Sequence, residues 1–340
     1  MSDPKAQRAS AHDRLSSALW YEAKGKLTIR TETLQARNDR ESSLHALWTG
    51  VSRGTEKLVF TGMVPPGEAA RMRCPYQYGD FPFPVRYGYG FVGEIVESSA
   101  FAPGTLAFCL HPHASHAVVA DVDVHPLPKD VPPRRAVLTA NMETALNVVW
   151  DARISAGDRV VVAGAGVVGL LIAWLASRFP GTSVVIADPD AARRRLAVAL
   201  SLAAVDPAEL EGSFDVAVNA SASDAALDGL IAVAGLEGRI VEASWYGDRP
   251  ATIRLGGGFH SQRLTIVSSQ VGRIPADRQA RWSFARRLRM ALELLKHAPL
   301  DALITHEIAF LQAPAALPPL FDDPNALGIA LRYDEAEMRG

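Results

Sequence analysis

The run Val160-Val161-Val162-Ala163-Gly164-Ala165-Gly166-Val167-Val168-Gly169-Leu170-Leu171 carries the clearest chemistry in the chain. β-Branched residues lead into Gly-x-Gly-x-x-Gly and on into an apolar helical pattern. In such a turn Gly164 permits the tight bend, Gly166 lets the backbone approach a pyrophosphate, and Gly169 lets the helix pack closely on the strand. The positive end and free N–H groups of a helix opening at Val167 and Val168 would then face the phosphates. Ser183 to Ala187 reads as the next strand, and Asp188 ends it, about twenty residues after the last glycine, where a dinucleotide site needs an acid. Its carboxylate can accept hydrogen bonds from both adenosine ribose hydroxyls and repels a 2′-phosphate, so NAD is expected over NADP. Arg193, Arg194 and Arg195 follow on the next helix. They read as a solvated face, with a softened NAD preference as the alternative.

Two further stretches, Asn219-Ala220-Ser221 and Ser244-Trp245-Tyr246, each follow a strand pattern. Ligands of open parallel sheets bind off the carboxyl ends of the strands. Asn219, Ala220, Ser244 and Trp245 are therefore expected to line the cofactor, mostly through backbone groups. Ser268-Ser269-Gln270 ends the last strand, and Ser269 is expected near the nicotinamide amide. Cys109, His111, His113 and His116 form the densest cluster of metal donors. Residues 109, 111 and 113 would share one face of a continuing strand, but Pro112 ends it. No metal is expected there; a substrate-facing role for His111 or His113 is. Glu143 lies before the glycine turn and either binds substrate or pairs within its helix.

Placing these groups takes a parallel sheet. From about Ala136 to Gly272 the strand candidates 159–163, 184–187, 214–219, 238–243 and 264–269 alternate with helical patterns, as in a sheet covered on both faces. Upstream lie short strands and turns, opening on a hairpin whose arms, Leu19 to Glu22 and Leu27 to Arg30, flank Ala23-Lys24-Gly25-Lys26. Downstream, an amphipathic helix over 281–297 presents Phe284, Leu288, Ala291, Leu292 and Leu295 inward. Arg281, Arg286, Arg287, Arg289 and Lys296 form its solvated face. Strand-like sequence then returns at Ile304 to Ile308 and Ala330 to Tyr333. The expected fold is α/β: a doubly wound Rossmann sheet over 141–272, inserted into a β-rich domain made of 18–140 and 273–340, behind a disordered leader, 1–17.

A chain of 340 residues with 48% hydrophobic content suits two domains with sizeable cores. A formal net charge of −2 gives no long-range pull toward nucleic acid or anionic membrane. Neither is expected as a partner, and no apolar run is long enough to span a bilayer. Two cysteines, Cys74 and Cys109, give no disulfide framework and suit a reducing cytoplasm.

The layout resembles the medium-chain dehydrogenase/reductase superfamily, the zinc alcohol dehydrogenase fold with a GroES-like catalytic domain. Two segments beyond the glycine turn carry the resemblance. Gly88-Tyr89-Gly90-Phe91-Val92-Gly93-Glu94-Ile95-Val96 is similar to the family's Gly-His-Glu-x-x-Gly-x-Val stretch, and Gly50-Val51-Ser52-Arg53-Gly54-Thr55-Glu56 to the stretch holding the first zinc cysteine. The match puts Ser52 at the cysteine, Tyr89 at the histidine, Gly90 at its acidic neighbour and a residue near Ala140 at the third ligand, and the four-cysteine structural lobe is absent. These residues do not supply zinc's Cys, His or carboxylate donors, so a zinc-free member is expected. Ser52-Arg53-Gly54-Thr55-Glu56-Lys57 followed by Gly62-Met63-Val64-Pro65 is similar to the branch containing bacteriochlorophyllide dehydrogenase.

The resemblance implies hydride transfer between NAD(H) and an alcohol or carbonyl group of a fairly large metabolite, by a homodimer. A zinc-free enone or quinone reductase using NADPH, and a non-catalytic dinucleotide-binding protein, are the alternatives. Without zinc, a side chain must handle the hydroxyl proton. Tyr89 is the first candidate, expected in the cleft between the domains, with packing as its other role. Ser52 shares the vacated position. Lys57 either lowers a phenol pKa or forms a surface ion pair, and Glu56 reads as a buried structural anchor. His111 and Glu143 complete the candidate set.

Overall fold

The computed structural model describes residues 15–334 and divides into two compact units. The first is built from 1–140 with 304–340, the second from 141–303. Most of the expected leader, residues 1–14, lies outside the described residues, but Leu15, Ser16 and Ser17 already belong to a strand.

The first unit is β-rich. Strands β1 (Leu15–Ala23) and β2 (Lys26–Thr33) form the expected hairpin, with Tyr21 opposite Leu27 and Ala23 opposite Lys26. Next come β3 (Glu41–Val51) and the two-residue strands β4 (Tyr78–Gly79) and β5 (Val85–Arg86). They are followed by β6 (Phe91–Glu97), β7 (Leu106–Cys109), β8 (His116–Ala120) and β9 (His125–Pro126). One sheet has the order β2-β1-β5-β4. β3 pairs antiparallel with β6 and β8, and burial alternates along its length, as a half-buried strand requires.

The second unit holds the parallel sheet. Its strands are β10 (Arg159–Ala163), β11 (Ser183–Ala187), β12 (Ala203–Val205), β13 (Phe214–Asn219), β14 (Ala234–Glu242) and β15 (Thr265–Ser268), in the order β12-β11-β10-β13-β14-β15. This is the 3-2-1-4-5-6 arrangement of a Rossmann sheet, whose order reverses between β10 and β13. β12 has only three residues and was not anticipated. The helix Val167–Ala176 is buried throughout from Gly169 onward, which is why its sequence is apolar on every side. Val161, Ala217 and Ile240 pack with Leu227, Leu230 and Ile231 in a core of the sheet.

The chain then returns to the first unit through β16 (Ile304–Ala309) and β17 (Gly328–Arg332), and β17 pairs with β3. The expected second boundary at 272/273 therefore moves to 303/304. The reason is the helix Phe284–Leu294, whose Arg287 bonds to Glu143, Asn147 and Val271 of the second unit. No described helix is long and apolar enough to cross a membrane.

Candidate functional site

In the second unit, strand register gathers the expected cofactor residues. Ala163 aligns with Ala187 and with Asn219, Asn219 with Glu242, and Glu242 with Ser268, so five carboxyl-terminal strand ends share one edge of the sheet. The glycine turn leaves that edge from β10. Gly164 has φ of 101°, and a Cβ there would stand 3.0 Å from the Ser221 backbone. A Cβ on Gly169 would stand 1.9 Å from the Gly164 carbonyl, so only glycine lets the helix approach the turn so closely. At Gly166, by contrast, no protein atom lies within 4 Å of where a Cβ would stand. Gly166 is also the N-cap of Val167–Ala176, and no side chain caps that end. The first-turn N–H groups near Val167 and Val168 are therefore available to an anion.

Asp188 is buried, and both its oxygens already serve the protein. Oδ2 accepts the Ala165 N–H at 2.7 Å and Oδ1 the Asp190 N–H at 2.8 Å. Each oxygen retains a second lone pair, so the carboxylate both anchors the glycine turn and can accept from a ligand. Arg193 Nη1 is 3.8 Å from Oδ2, while Arg194 is committed to the Asp188 carbonyl and to Asp206. Arg194 therefore is not a free solvated group.

The loops after β13 and β14 are tied to each other. Asn219 Nδ2 donates to Glu242 Oε2 at 2.7 Å, and its Oδ1 accepts from Ser221. Ser244 Oγ donates to the Asn219 carbonyl and accepts from Ala222 N–H. The Ala220 N–H is bound to the Ala163 carbonyl. Asn219, Ala220 and Ser244 thus shape the edge through bonds within the protein, and Trp245 stands half-buried beside them. Glu242 was missed as a site residue because it reads as strand. Burial raises its carboxyl pKa, against the lowering by Ser244, Asn219 and Tyr246 donors.

Ser269 Oγ donates to Asp151 at 2.6 Å. Glu143 is not a free substrate ligand. It is 4% exposed and pairs with Arg287 Nε at 3.0 Å. Arg287, expected on the solvated face, is 1% exposed.

In the first unit, β3 ends at Val51 and Ser52 stands at the N-cap position of the helix Arg53–Thr61, without a hydrogen bond from its side chain to the helix. Glu56, in its first turn, reaches back so that Oε1 accepts the Ser52 N–H at 2.7 Å, much as in a capping box. Its Oε2 accepts from Tyr21 OH at 2.6 Å and faces His113 Nε2 at 3.0 Å. His113 Nδ1 meets the Thr49 hydroxyl at 2.7 Å, and Thr49 meets Tyr333 OH at 3.1 Å. Glu56 is a buried anchor, as the resemblance implies. Besides Ser52, its partners Tyr21 and His113 come from distant segments, Thr49 and Tyr333 extend the network through His113, and Tyr21, Thr49 and Tyr333 carried no local signal.

Tyr89 lies half-buried between β5 and β6, beside Ser52 and Thr55. Burial pushes its phenol up to about 12; the Ser52 and Thr55 hydroxyls pull it down and the Glu56 charge pushes it up. Ser52 and Tyr89, paired only through the resemblance, therefore do come together. Lys57 does not join them: its Nζ pairs with exposed Asp322 at 2.6 Å. His111 is buried against Tyr76 and Phe91, with Nδ1 on the Pro112 carbonyl at 2.8 Å. Burial and then Arg86 lower its pKa to about 3, so it is neutral. Zinc does not fit the Ser52–Tyr89 pair, since a hydroxyl and a firmly protonated phenol are poor donors, and Ala140 has none. Among the described residues no three His, Cys, Asp or Glu side chains converge to hold a metal.

No protein-family model matches the chain. It is 26% identical over 308 residues to 2-desacetyl-2-hydroxyethyl bacteriochlorophyllide A dehydrogenase of Rhodobacter capsulatus, covering 85% of this chain and 89% of that one. A solved Escherichia coli alcohol dehydrogenase complexed with NADH superimposes with a TM-score of 0.75 at 17% identity, covering 94% of this chain and 99% of that one. A dehydrogenase from Sinorhizobium meliloti bound to NADP does so with a TM-score of 0.74 at 19% identity, covering 94% and 99%. Curated relatives and solved neighbours together point to the medium-chain, alcohol dehydrogenase-like superfamily.

Proposed function

We propose that this chain is an alcohol or carbonyl oxidoreductase that uses a nicotinamide dinucleotide, NAD(H) by preference, and works without zinc. The observation that carries the reading is the glycine turn with Asp188, set at the carboxyl edge of a 3-2-1-4-5-6 sheet and opening on an uncapped helix N-terminus. The dehydrogenase relatives support it. A bound nicotinamide supplies or takes the hydride.

The protein's part is the other half of the chemistry. The turn and the first helical N–H groups would hold the pyrophosphate, and Asp188 would accept from the adenosine ribose. Tyr89 handles the proton on the substrate oxygen. A phenol is protonated at neutral pH and so can donate to a carbonyl oxygen as the carbon receives hydride, although burial, in raising Tyr89 to about 12, makes it a weaker acid than a free phenol. A fairly large hydroxylated or carbonyl metabolite is the substrate class.

The test is a screen of alcohols, ketones and enones, following nicotinamide absorbance with NAD(H) and NADP(H). Turnover of an alcohol or ketone with NAD(H) supports the proposal. Turnover confined to enones with NADPH replaces it with a C=C reductase. Tight NADH binding with no turnover of any substrate leaves a non-catalytic binding protein.

A further inference from the structure

The buried Arg287–Glu143 pair lies in the second unit, and every nitrogen of its guanidinium is spent. Nε donates to Glu143, Nη1 to Asn147 Oδ1, and Nη2 to the Val271 carbonyl. Asn147 in turn donates to Asp151 Oδ2 at 3.0 Å and to Ser269 Oγ at 3.3 Å, and Ser269 Oγ donates to the same Asp151 oxygen. The Ser269 N–H is held by the Glu242 carbonyl at 2.9 Å. The segment 269–271 leaving β15 is thus gripped at both ends. Its anchors Arg287, Glu143 and Asn147 are buried, while Ser269 and Val271 are half-buried and Gln270 is exposed.

A buried ion pair is a poor way to gain stability, because desolvation offsets the attraction and apolar packing does as well. Here the pair also ties down the Asn147 amide and the Val271 carbonyl. In a Rossmann sheet the first half, β10 to β12, takes the adenosine end of a dinucleotide. The second half takes the nicotinamide end, off the strand termini.

We propose that the Arg287–Glu143 pair is a positioning device for the nicotinamide half of the dinucleotide, holding the Ser269–Val271 backbone at the end of β15 in the one arrangement that receives the ring. The inference rests on the dinucleotide-binding reading above. It makes Arg287 and Glu143 positioning residues, touching neither substrate nor cofactor.

ADP-ribose, which keeps the adenosine and pyrophosphate but lacks the ring, separates the two halves. In the double variant Glu143→Gln/Arg287→Met, affinity for ADP-ribose is expected to stay within about twofold of wild type, while NADH binds about tenfold more weakly or worse. Arg287→Lys, keeping the charge but losing the three-way fork, is expected to recover part of the NADH affinity. Equal losses for both ligands, or no loss for either, overturn the proposal. Hydrogen exchange on the wild-type protein gives an answer even where a variant fails to fold: NADH should slow exchange at 269–273 and ADP-ribose should not. Equal protection by both, or by neither, also overturns it. A wild-type protein that binds neither ligand refutes the dinucleotide-binding reading itself.

Discussion

Replacing Asp188 with asparagine tests the assignment of the cofactor edge. The carboxylate accepts two backbone donors, the Ala165 N–H at 2.7 Å through one oxygen and the Asp190 N–H at 2.8 Å through the other. Asparagine has one carbonyl oxygen, so one buried N–H must face an amide NH2 group. A lost charge-assisted hydrogen bond of this kind costs about 1.5–3 kcal/mol, which corresponds to a fall in melting temperature of roughly 3–10 °C. Binding changes separately. The variant loses an ionised acceptor for the ribose hydroxyls, weakening NADH, and loses a charge that repels a 2′-phosphate. Two unit charges about 4 Å apart interact by roughly 1–4 kcal/mol, depending on solvent exposure, so the preference for NADH over NADPH should shrink by about tenfold. Fluorescence titration with both reduced cofactors, beside a thermal melt, reads the two effects independently. An unchanged ratio of NADH to NADPH affinity refutes the ribose assignment, and if the melt alone falls, Asp188 only braces the glycine turn.

Tyr89→Phe should lower turnover by about 10²–10⁴-fold while NADH affinity and melting temperature stay near wild type; near-normal turnover returns Tyr89 to packing. Purified protein should carry well under one zinc per chain by elemental analysis, and chelation should leave activity intact; stoichiometric zinc that chelators remove together with activity contradicts the zinc-free reading. Acid sensitivity should trace in part to His111, whose folded pKa of about 3 lies below its ordinary 6.5 because it is buried near Arg86. The unfolded chain then binds a proton that the folded one refuses, so stability falls as pH drops from about 6.5 toward 3. His111→Gln should flatten that fall in an acid-unfolding series, and an unchanged slope refutes the assignment.

The glycine turn and the carboxyl edge of the parallel sheet were legible because their signals are local. The glycine spacing, the β-branched run before it and the acid after the next strand each answer to a few residues of backbone geometry. The return of the chain to the β-rich unit was legible for the same reason, from the strand-like patterns near Ile304 and Ala330. The failures share a different cause. Periodicity assigned Arg287 to a charged helix face, and Glu143, far earlier in the chain, cancels that charge inside the protein. Glu56 could be recognised as an anchor from the resemblance, but Tyr21 and His113 meet it from separate elements, and Thr49 and Tyr333 join the network only through His113.

The fate of a charged or hydroxyl side chain depends on partners that only the tertiary fold supplies, because burial is tolerated once those partners satisfy it. Residues that would touch a ligand therefore tend to sit on glycine turns and strand ends that local pattern exposes. Residues that hold those turns in place are disguised by their own sequence neighbourhood. In this chain the disguise runs both ways. Lys57 has the local context of a site residue and is spent on a surface pair, whereas Arg287 has the context of a surface residue and sits buried, bonded to Glu143, Asn147 and the Val271 carbonyl just past the end of β15.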